Sequence, residues 1–249
     1  MMEQRITSRK NPVLQQVKKL LSSRKVREET GLFVADGTKL LAEAVQYCPG
    51  LETVILSDGV EVTLPDRVQK IRVPEDVMQS LSPMASPQGA LFVCRLPQNQ
   101  PFLPCGGMLL LDGIQDPGNL GTILRTADAR DVPVALLEGC ADPYSHKVVR
   151  ASMGAVFRRD VIQTTWAQAY AACIKKGIDI GVTALSQRAM DIRQAELKHM
   201  AVVIGSEGQG VRQEILDRAH VELIIPMNSH CESLNAAVAA TIVMWQMKL

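Results

Sequence analysis

The chain has 249 residues, 47% hydrophobic and 21% charged, with a formal net charge of +1. This balance excludes a disordered or low-complexity chain. Its apolar runs of about five residues also fall far short of the roughly 20 that cross a bilayer.

The charge is unevenly placed. Residues 1–30 carry eight Lys/Arg and three Glu, a local +5, which leaves −4 for the remainder. A basic N-terminal segment on a neutral chain suits contact with a polyanion, and equally a solvated helix face. Ile6-Thr7-Ser8-Arg9-Lys10-Asn11-Pro12 is a turn-rich entry. Leu14, Val17 and Leu21 then predict an amphipathic helix over 12–24, with Lys18, Lys19 and Arg24 on its polar side. Gly31–Gly37 reads as a strand and turn, followed by a helix over 37–47. Strands are predicted at Thr53–Ser57, Ile71–Val73 and Ala90–Cys94, with a helix from Pro74 to Leu81. Residues 1–95 thus read as a small α/β domain. Residues 96–107, with three prolines and two glycines, read as a linker.

Residues 108–249 form a second domain. Its predicted order is strand 108–112, turn 113–118, helix 119–130, strand 134–137, and a turn and helix over 142–155. Helix 165–176, strand 178–184, strand 201–205, helix 209–219, strand 222–225 and helix 233–247 follow. In the last helix Leu234, Val238, Thr241 and Trp245 are in register. Strands alternating with helices predict a mostly parallel sheet, whose strand ends form a ligand-binding edge.

The six cysteines are scattered without a C-x-x-C pair, and the four histidines lack metal-ligand spacing. Reduced thiols and no metal are expected. No apolar core follows Met1-Met2-Glu3-Gln4-Arg5, so a cytoplasmic protein without a secretory leader is expected.

Three stretches carry the chemistry. In Asp112–Ala127, Asn119 reads either as a helix N-cap or as a site residue, and Arg125 as a structural ion pair or a phosphate grip. Gly205-Ser206-Glu207-Gly208-Gln209-Gly210 lacks the dinucleotide spacing and a Walker lysine, yet lets a ligand approach the backbone closely. In the third, Ile225-Pro226-Met227 precedes Ser233-Leu234-Asn235. There Ser233 reads as an N-cap, and Ser233 and Asn235 equally as groups that orient a ligand.

Together, and in this order, the three stretches resemble the motifs of the SpoU/TrmH family of RNA ribose 2′-O-methyltransferases in the SPOUT superfamily. The match runs through Asp112, Pro117, Asn119, Gly121, Arg125 and Ala127, then Gly205, Glu207, Gly208 and Gly210, then Ile225, Pro226, Met227, Ser233, Leu234 and Asn235. Ile6–Ser8, Asn11-Pro12 and Phe33–Gly37 resemble the family's ribosomal-protein-like substrate-binding domain, with Asp36 where members often have Glu. The resemblance implies a C-terminal SPOUT domain with a trefoil-knotted parallel sheet, a homodimer, and S-adenosylmethionine as methyl donor. The donor would be held by Gly205, Ile225 and Leu234, with Leu185 and Met227. Asn119, Arg125, Glu207, Ser233 and Asn235 would be the catalytic set, and Arg9, Lys10, Lys18, Arg24 and Arg150 would bind RNA. A guanidinium scarcely gives up its proton, so phosphate binding and alkoxide stabilisation suit Arg125 better than general-base work. His230 is a weaker candidate base. Ribosomal RNA is favoured over transfer RNA, with no DNA and no membrane partner. The rivals are a non-catalytic RNA-binding protein on the same fold, which should have lost Asn119 or Arg125, and a base-nitrogen methylase, against which the Asn119…Arg125 and Ser233-Leu234-Asn235 signatures argue.

Overall fold

The computed structural model describes residues 3–228, 230–231 and 233–247. Its elements are β1 (Gln4–Arg5), α1 (Pro12–Ser22), α2 (Arg24–Thr30), β2 (Leu32–Asp36), α3 (Thr38–Tyr47), β3 (Leu51–Ser57), β4 (Gln69–Val73), α4 (Glu75–Leu81) and β5 (Ala90–Arg95). Then come β6 (Met108–Asp112), α5 (Pro117–Arg130), β7 (Val134–Leu136), α6 (His146–Ala151), α7 (Ala155–Arg158), β8 (Ile162–Gln163) and α8 (Trp166–Lys176). The last are β9 (Asp179–Thr183), β10 (Met190–Asp191), β11 (Met200–Gly205), α9 (Gln213–Leu216), β12 (Val221–Ile224) and α10 (Ala236–Met247). The chain folds as two compact units. One is the chain up to Gln98 together with Tyr144–Arg158, and the other is Asn99–Pro143 together with the chain from Arg159.

The first unit holds a five-stranded mixed sheet in the order β1-β4-β3-β5-β2. The helix expected over 12–24 breaks at Ser23, whose extended backbone ends α1 and whose hydroxyl accepts from Val26 N–H to cap α2. Such a cap stabilises a helix start by about 1 kcal/mol. Leu14, Val17 and Leu20 are buried, and Leu21 is only partly so. They pack with Ile55, Ile71, Val77, Met78 and Leu91. Segment 144–158, which sequence order places among the elements of the second domain, contributes Tyr144 and Phe157 to this unit. Their ring centroids lie 5.2 and 6.3 Å from that of Phe33. The single helix expected there is two, α6 and α7, separated at Met153 and Gly154, both with positive φ.

The second unit holds a seven-stranded sheet in the order β10-β12-β9-β11-β6-β7-β8. Every pairing in it is parallel, so all strand C-termini reach one edge. Gly205 pairs in register with Asp112, which sets the ends of β11 and β6 level. Leu110, Ala135, Trp166, Ile180, Val182, Val203 and Ile215 fill one core of this unit. A helix expected from 209 is shortened to α9, because Ser206 and Gly210 exchange backbone hydrogen bonds of 3.2 and 2.9 Å across a tight loop. Gly210 turns with φ +67° in that loop.

The final helix starts at Ala236. Val238, Thr241 and Trp245 lie on its exposed side, whereas Ala237, Ala240, Val243, Met244 and Met247 are buried. A helix apolar all round gives spacing no means of choosing the inward face. Among the described residues no helix is long and apolar enough to cross a membrane.

Candidate active site

The site lies in the second unit, where the segments after β6, β9, β11 and β12 gather. Pro117 opens α5 and Asp116 is its cap, with Oδ1 accepting from Asn119 N–H at 2.7 Å. Asn119 is therefore not the N-cap, and its side-chain amide is left for other work. Asn235 caps α10 in place of Ser233. Its Oδ1 accepts from Ala237 N–H at 2.9 Å and Val238 N–H at 3.3 Å.

These two caps orient a chain of amides. Because Asn235 Oδ1 faces the helix N–H groups, its Nδ2 must donate outward, and it does so to Asn119 Oδ1 at 2.9 Å. The Asn119 amide is thereby fixed, and its Nδ2 donates to Glu207 Oε1. A carboxylate accepts only, so donor direction along Asn235, Asn119 and Glu207 is set throughout. Three side chains from three separate motifs, up to 116 residues apart in sequence, thus form one network.

Arg125 stands six residues beyond Asn119, roughly 9 Å along the helix axis. It is exposed and has no hydrogen bond or ion pair among the described residues. The structure places it on the same helix as Asn119 without joining it to the network. Ser233 lies at the wall of the adjoining cavity. Its carbonyl accepts from Cys231 Sγ at 3.3 Å. His230 is exposed in a turn where its N–H donates to Asn228 Oδ1 at 3.2 Å. Among the described residues no hydrogen bond ties its ring to the network.

The cavity has a volume of about 960 Å³. Gly205, Ile225, Leu234, Leu185 and Met227 all line it, as does Glu207. Gly205 admits no other residue: a Cβ there would stand 2.1 Å from the carbonyl carbon of Gly210. Leu185, on the segment after β9, is 66% exposed. That segment is held by Glu222, which accepts from Ser186 Oγ and from Arg188 Nη2. Burial pushes the nearby Cys140 thiol up to about 11, which disfavours the nucleophilic thiolate.

One side chain, Arg212, went unread in the sequence. Asp112, 1% exposed, accepts from both the backbone and the side chain of Arg212. Arg212 also bonds Glu138 and Glu214. Only the aspartate at a strand end hinted at this, since nothing marks Arg212 among the exposed residues around it.

The model of the SpoU rRNA Methylase family matches residues 107–245. The chain belongs to that family. The model of the MRM3-like substrate binding domain matches residues 11–91, so this SpoU methylase carries a substrate-binding domain ahead of its methylase domain. Over 248 residues it is 31% identical to the 23S rRNA (guanosine(2553)-2′-O)-methyltransferase RlmP of Bacillus subtilis (strain 168), covering 98% of either chain. Its fold is similar to that of an AdoMet-bound rRNA methyltransferase from Sinorhizobium meliloti. That comparison has a TM-score of 0.86 and 27% identity, and covers 98% of this chain and 97% of the other. It is also similar to a crystal structure of an RNA 2′-O ribose methyltransferase, with a TM-score of 0.80, 27% identity and the same coverage.

The cations expected to bind RNA divide in this SpoU methylase. Arg9 pairs with Asp76 at 2.6 Å and Arg24 with Glu28 at 2.7 Å. Lys10 and Lys18 have no ion pair among the described residues. Arg150 is exposed on α6 and touches Met84 Sδ. Burial pushes the nearby Asp36 carboxyl up, and Arg150 and His146 pull it partly back.

Proposed function

We propose that the protein methylates a ribose 2′-hydroxyl in large-subunit ribosomal RNA, with S-adenosylmethionine as donor. The observation that carries this reading is the Asn235–Asn119–Glu207 network beside a glycine-walled cavity. The residues fit the donor. Gly205 gives the cavity a wall of backbone alone, because the backbone of Gly210 and Val211 fills the place a Cβ would take, and Ile225, Leu234, Leu185 and Met227 offer apolar surface around it. When bound, the donor supplies a methyl group already activated on a sulfonium.

The chain's own residues have the remaining tasks of alignment and charge stabilisation. Asn119, its amide direction locked from both sides, orients the ribose. Glu207 and Asn235 hold Asn119, and Ser233 adds a hydroxyl at the cavity wall. Arg125, with its guanidinium free for a ligand, grips an RNA phosphate bidentately and stabilises the alkoxide as it forms. Lys10 and Lys18, together with Arg9, Arg24 and Arg150, serve as the cationic face for RNA. Named activity on 23S rRNA in the full-length Bacillus relative supports ribosomal over transfer RNA. A cytoplasmic location belongs to the same reading.

The reading includes a homodimer and the trefoil knot. Val238, Ile242 and Trp245 on α10 form an apolar strip that suits a second copy, with the Arg130 guanidinium stacked 4.4 Å from the Trp245 ring centre. Strand order supports the knot: β12 pairs with β9, not with β11, and α10 returns against α5. The deciding experiment is methyl transfer from radiolabelled donor to total RNA from cells lacking the protein, with wild type and Arg125→Ala, the RNA separated by size. Alkali-resistant label at one dinucleotide of large ribosomal RNA, lost in the variant, is the expected result. Label confined to small RNA moves the substrate to transfer RNA, and alkali-labile label overturns ribose chemistry.

A further inference from the structure

Both ends of the loop that carries Glu207 meet at one residue, Asp112, through its backbone at the entry and its buried carboxylate at the exit. At the loop's entry Gly205 is the register partner of Asp112 in the β11–β6 ladder. At its exit Arg212 N–H donates to Asp112 Oδ2 at 2.9 Å, and Arg212 Nε donates to Asp112 Oδ1 at 2.7 Å. A carboxylate this buried is costly unless paired and hydrogen-bonded, and one residue meets both needs. The rest of the guanidinium is also used: Nη2 donates to Glu138 Oε2 at 2.8 Å and Nη1 to Glu214 Oε1 at 2.9 Å. Glu138 lies just beyond β7 and accepts from the Trp166 N–H, at 3.2 and 3.1 Å, at the start of α8. Burial alone would raise the Glu138 carboxyl, but its own backbone, Arg212 and Trp166 outweigh it and hold the group below its usual range. The planar fork of Arg212 thus fixes the loop exit against β6, β7 and α9 at once, which a lysine's single point charge cannot do.

We propose that Arg212, held by Asp112 and Glu138, is a positioning residue for methyl transfer. It touches neither RNA nor donor. It sets the exit of loop 205–212, so that Glu207 meets the Asn119 amide and keeps that amide aimed. This rests on the reading of Asn119 and Glu207 as site residues.

The test is a double-mutant cycle in steady-state methyl transfer with Arg212→Lys, Glu207→Ala and the double variant, with thermal melts and donor titrations of each. Arg212→Lys keeps a cation opposite Asp112 and so preserves the fold. We expect kcat to fall by roughly 10- to 100-fold, as small misplacements of catalytic groups do, with the KM for RNA within about two-fold. In the Glu207→Ala background the same change should cost less than about two-fold, because its effect runs through Glu207. Glu138→Gln, which leaves the Asp112 pair intact, should show a smaller loss with the same non-additivity. Additive losses in the cycle overturn the positioning role while leaving the site reading standing. An unchanged kcat in Glu207→Ala alone overturns the site reading instead.

Discussion

Asn119 and Arg125 share one helix, yet they are finished in opposite ways. Every polar atom of the Asn119 amide that the network uses is already bonded inside the protein, through Asn235 and Glu207. Arg125 is exposed and bonded to nothing among the described residues. A neutral amide has two chemically distinct ends, and it is useful only when told which way to face. A guanidinium presents donors on every side and needs no such instruction, so it can be left open for a phosphate. Completion within the protein marks a group that orients, and openness marks a group that binds.

Four changes probe that contrast. Removing the open group should cost most activity and least stability. Arg125→Ala should lower kcat by roughly 10²–10³-fold, the scale of a lost charge-stabilising donor. Its melting temperature should stay within a degree or two of wild type, since surface changes seldom exceed about 0.5 kcal/mol. A matching drop in melting temperature would mean that Arg125 is structural.

Crowding the loop packed behind Gly205 is next. Gly205→Ala forces a Cβ to 2.1 Å from the Gly210 backbone, and should destabilise by about 1–3 kcal/mol as overpacking does. Donor binding in calorimetry should be lost. Retained affinity would show that this wall is not the donor's.

Asn119→Asp sets a second carboxylate against Glu207 in nearly the same volume. Two adjacent carboxylates raise one another's pKa and prefer to share a proton. Activity relative to wild type should fall by about ten-fold at pH 8 and recover partly as the pH drops towards 6, where the pair can hold a shared proton. A flat ratio would break the claim that amide direction matters.

The smallest effect concerns an unfinished group in the first unit. Asp36 is buried, and its Oδ1 lacks a hydrogen-bond partner. Burial, offset in part by Arg150 and His146, leaves its carboxyl above the usual range. A raised carboxyl pKa means that the folded state holds the proton more tightly than the unfolded state. Asp36 therefore subtracts stability as the pH rises from its unfolded value through its folded one. Asp36→Asn should raise the melting temperature by a degree or so at pH 7, with the gain vanishing below about pH 4. An unchanged or lowered melting temperature at pH 7 would argue that the carboxylate is compensated there.

Much of this was legible in the residues. Strand-turn-helix grammar at Leu109–Ala127, Val202–Val211 and Ile224–Ala239 marked segments that the fold gathers at one sheet edge, and the five residues expected around a donor line the cavity there. What spacing could not do was choose between adjacent polar residues. Asp116 and Asn119 are both good cap types, and only the Pro117 start of α5 gives the cap to Asp116. Ser233 and Asn235 compete likewise, and the later of them wins. In α10, apolar residues on every side erased the pattern that assigns an inward face. Arg212 was invisible because its pairing with Asp112 spans 100 residues, and no local pattern encodes such a distance.

The rings of Tyr144 and Phe157 beside Phe33 and Phe92 bear on the order of events at the ribosome. Synthesis is vectorial, and domains generally form as their sequence emerges. Here the sheet of the first unit is complete in sequence at Arg95, but its aromatic cover is not translated until Arg158. For those intervening residues the nascent chain carries Phe33 and Phe92 without their partners. A cut in the proline-rich stretch after Arg95 would make that transient exposure permanent, so a fragment ending there should be the less soluble part of the molecule.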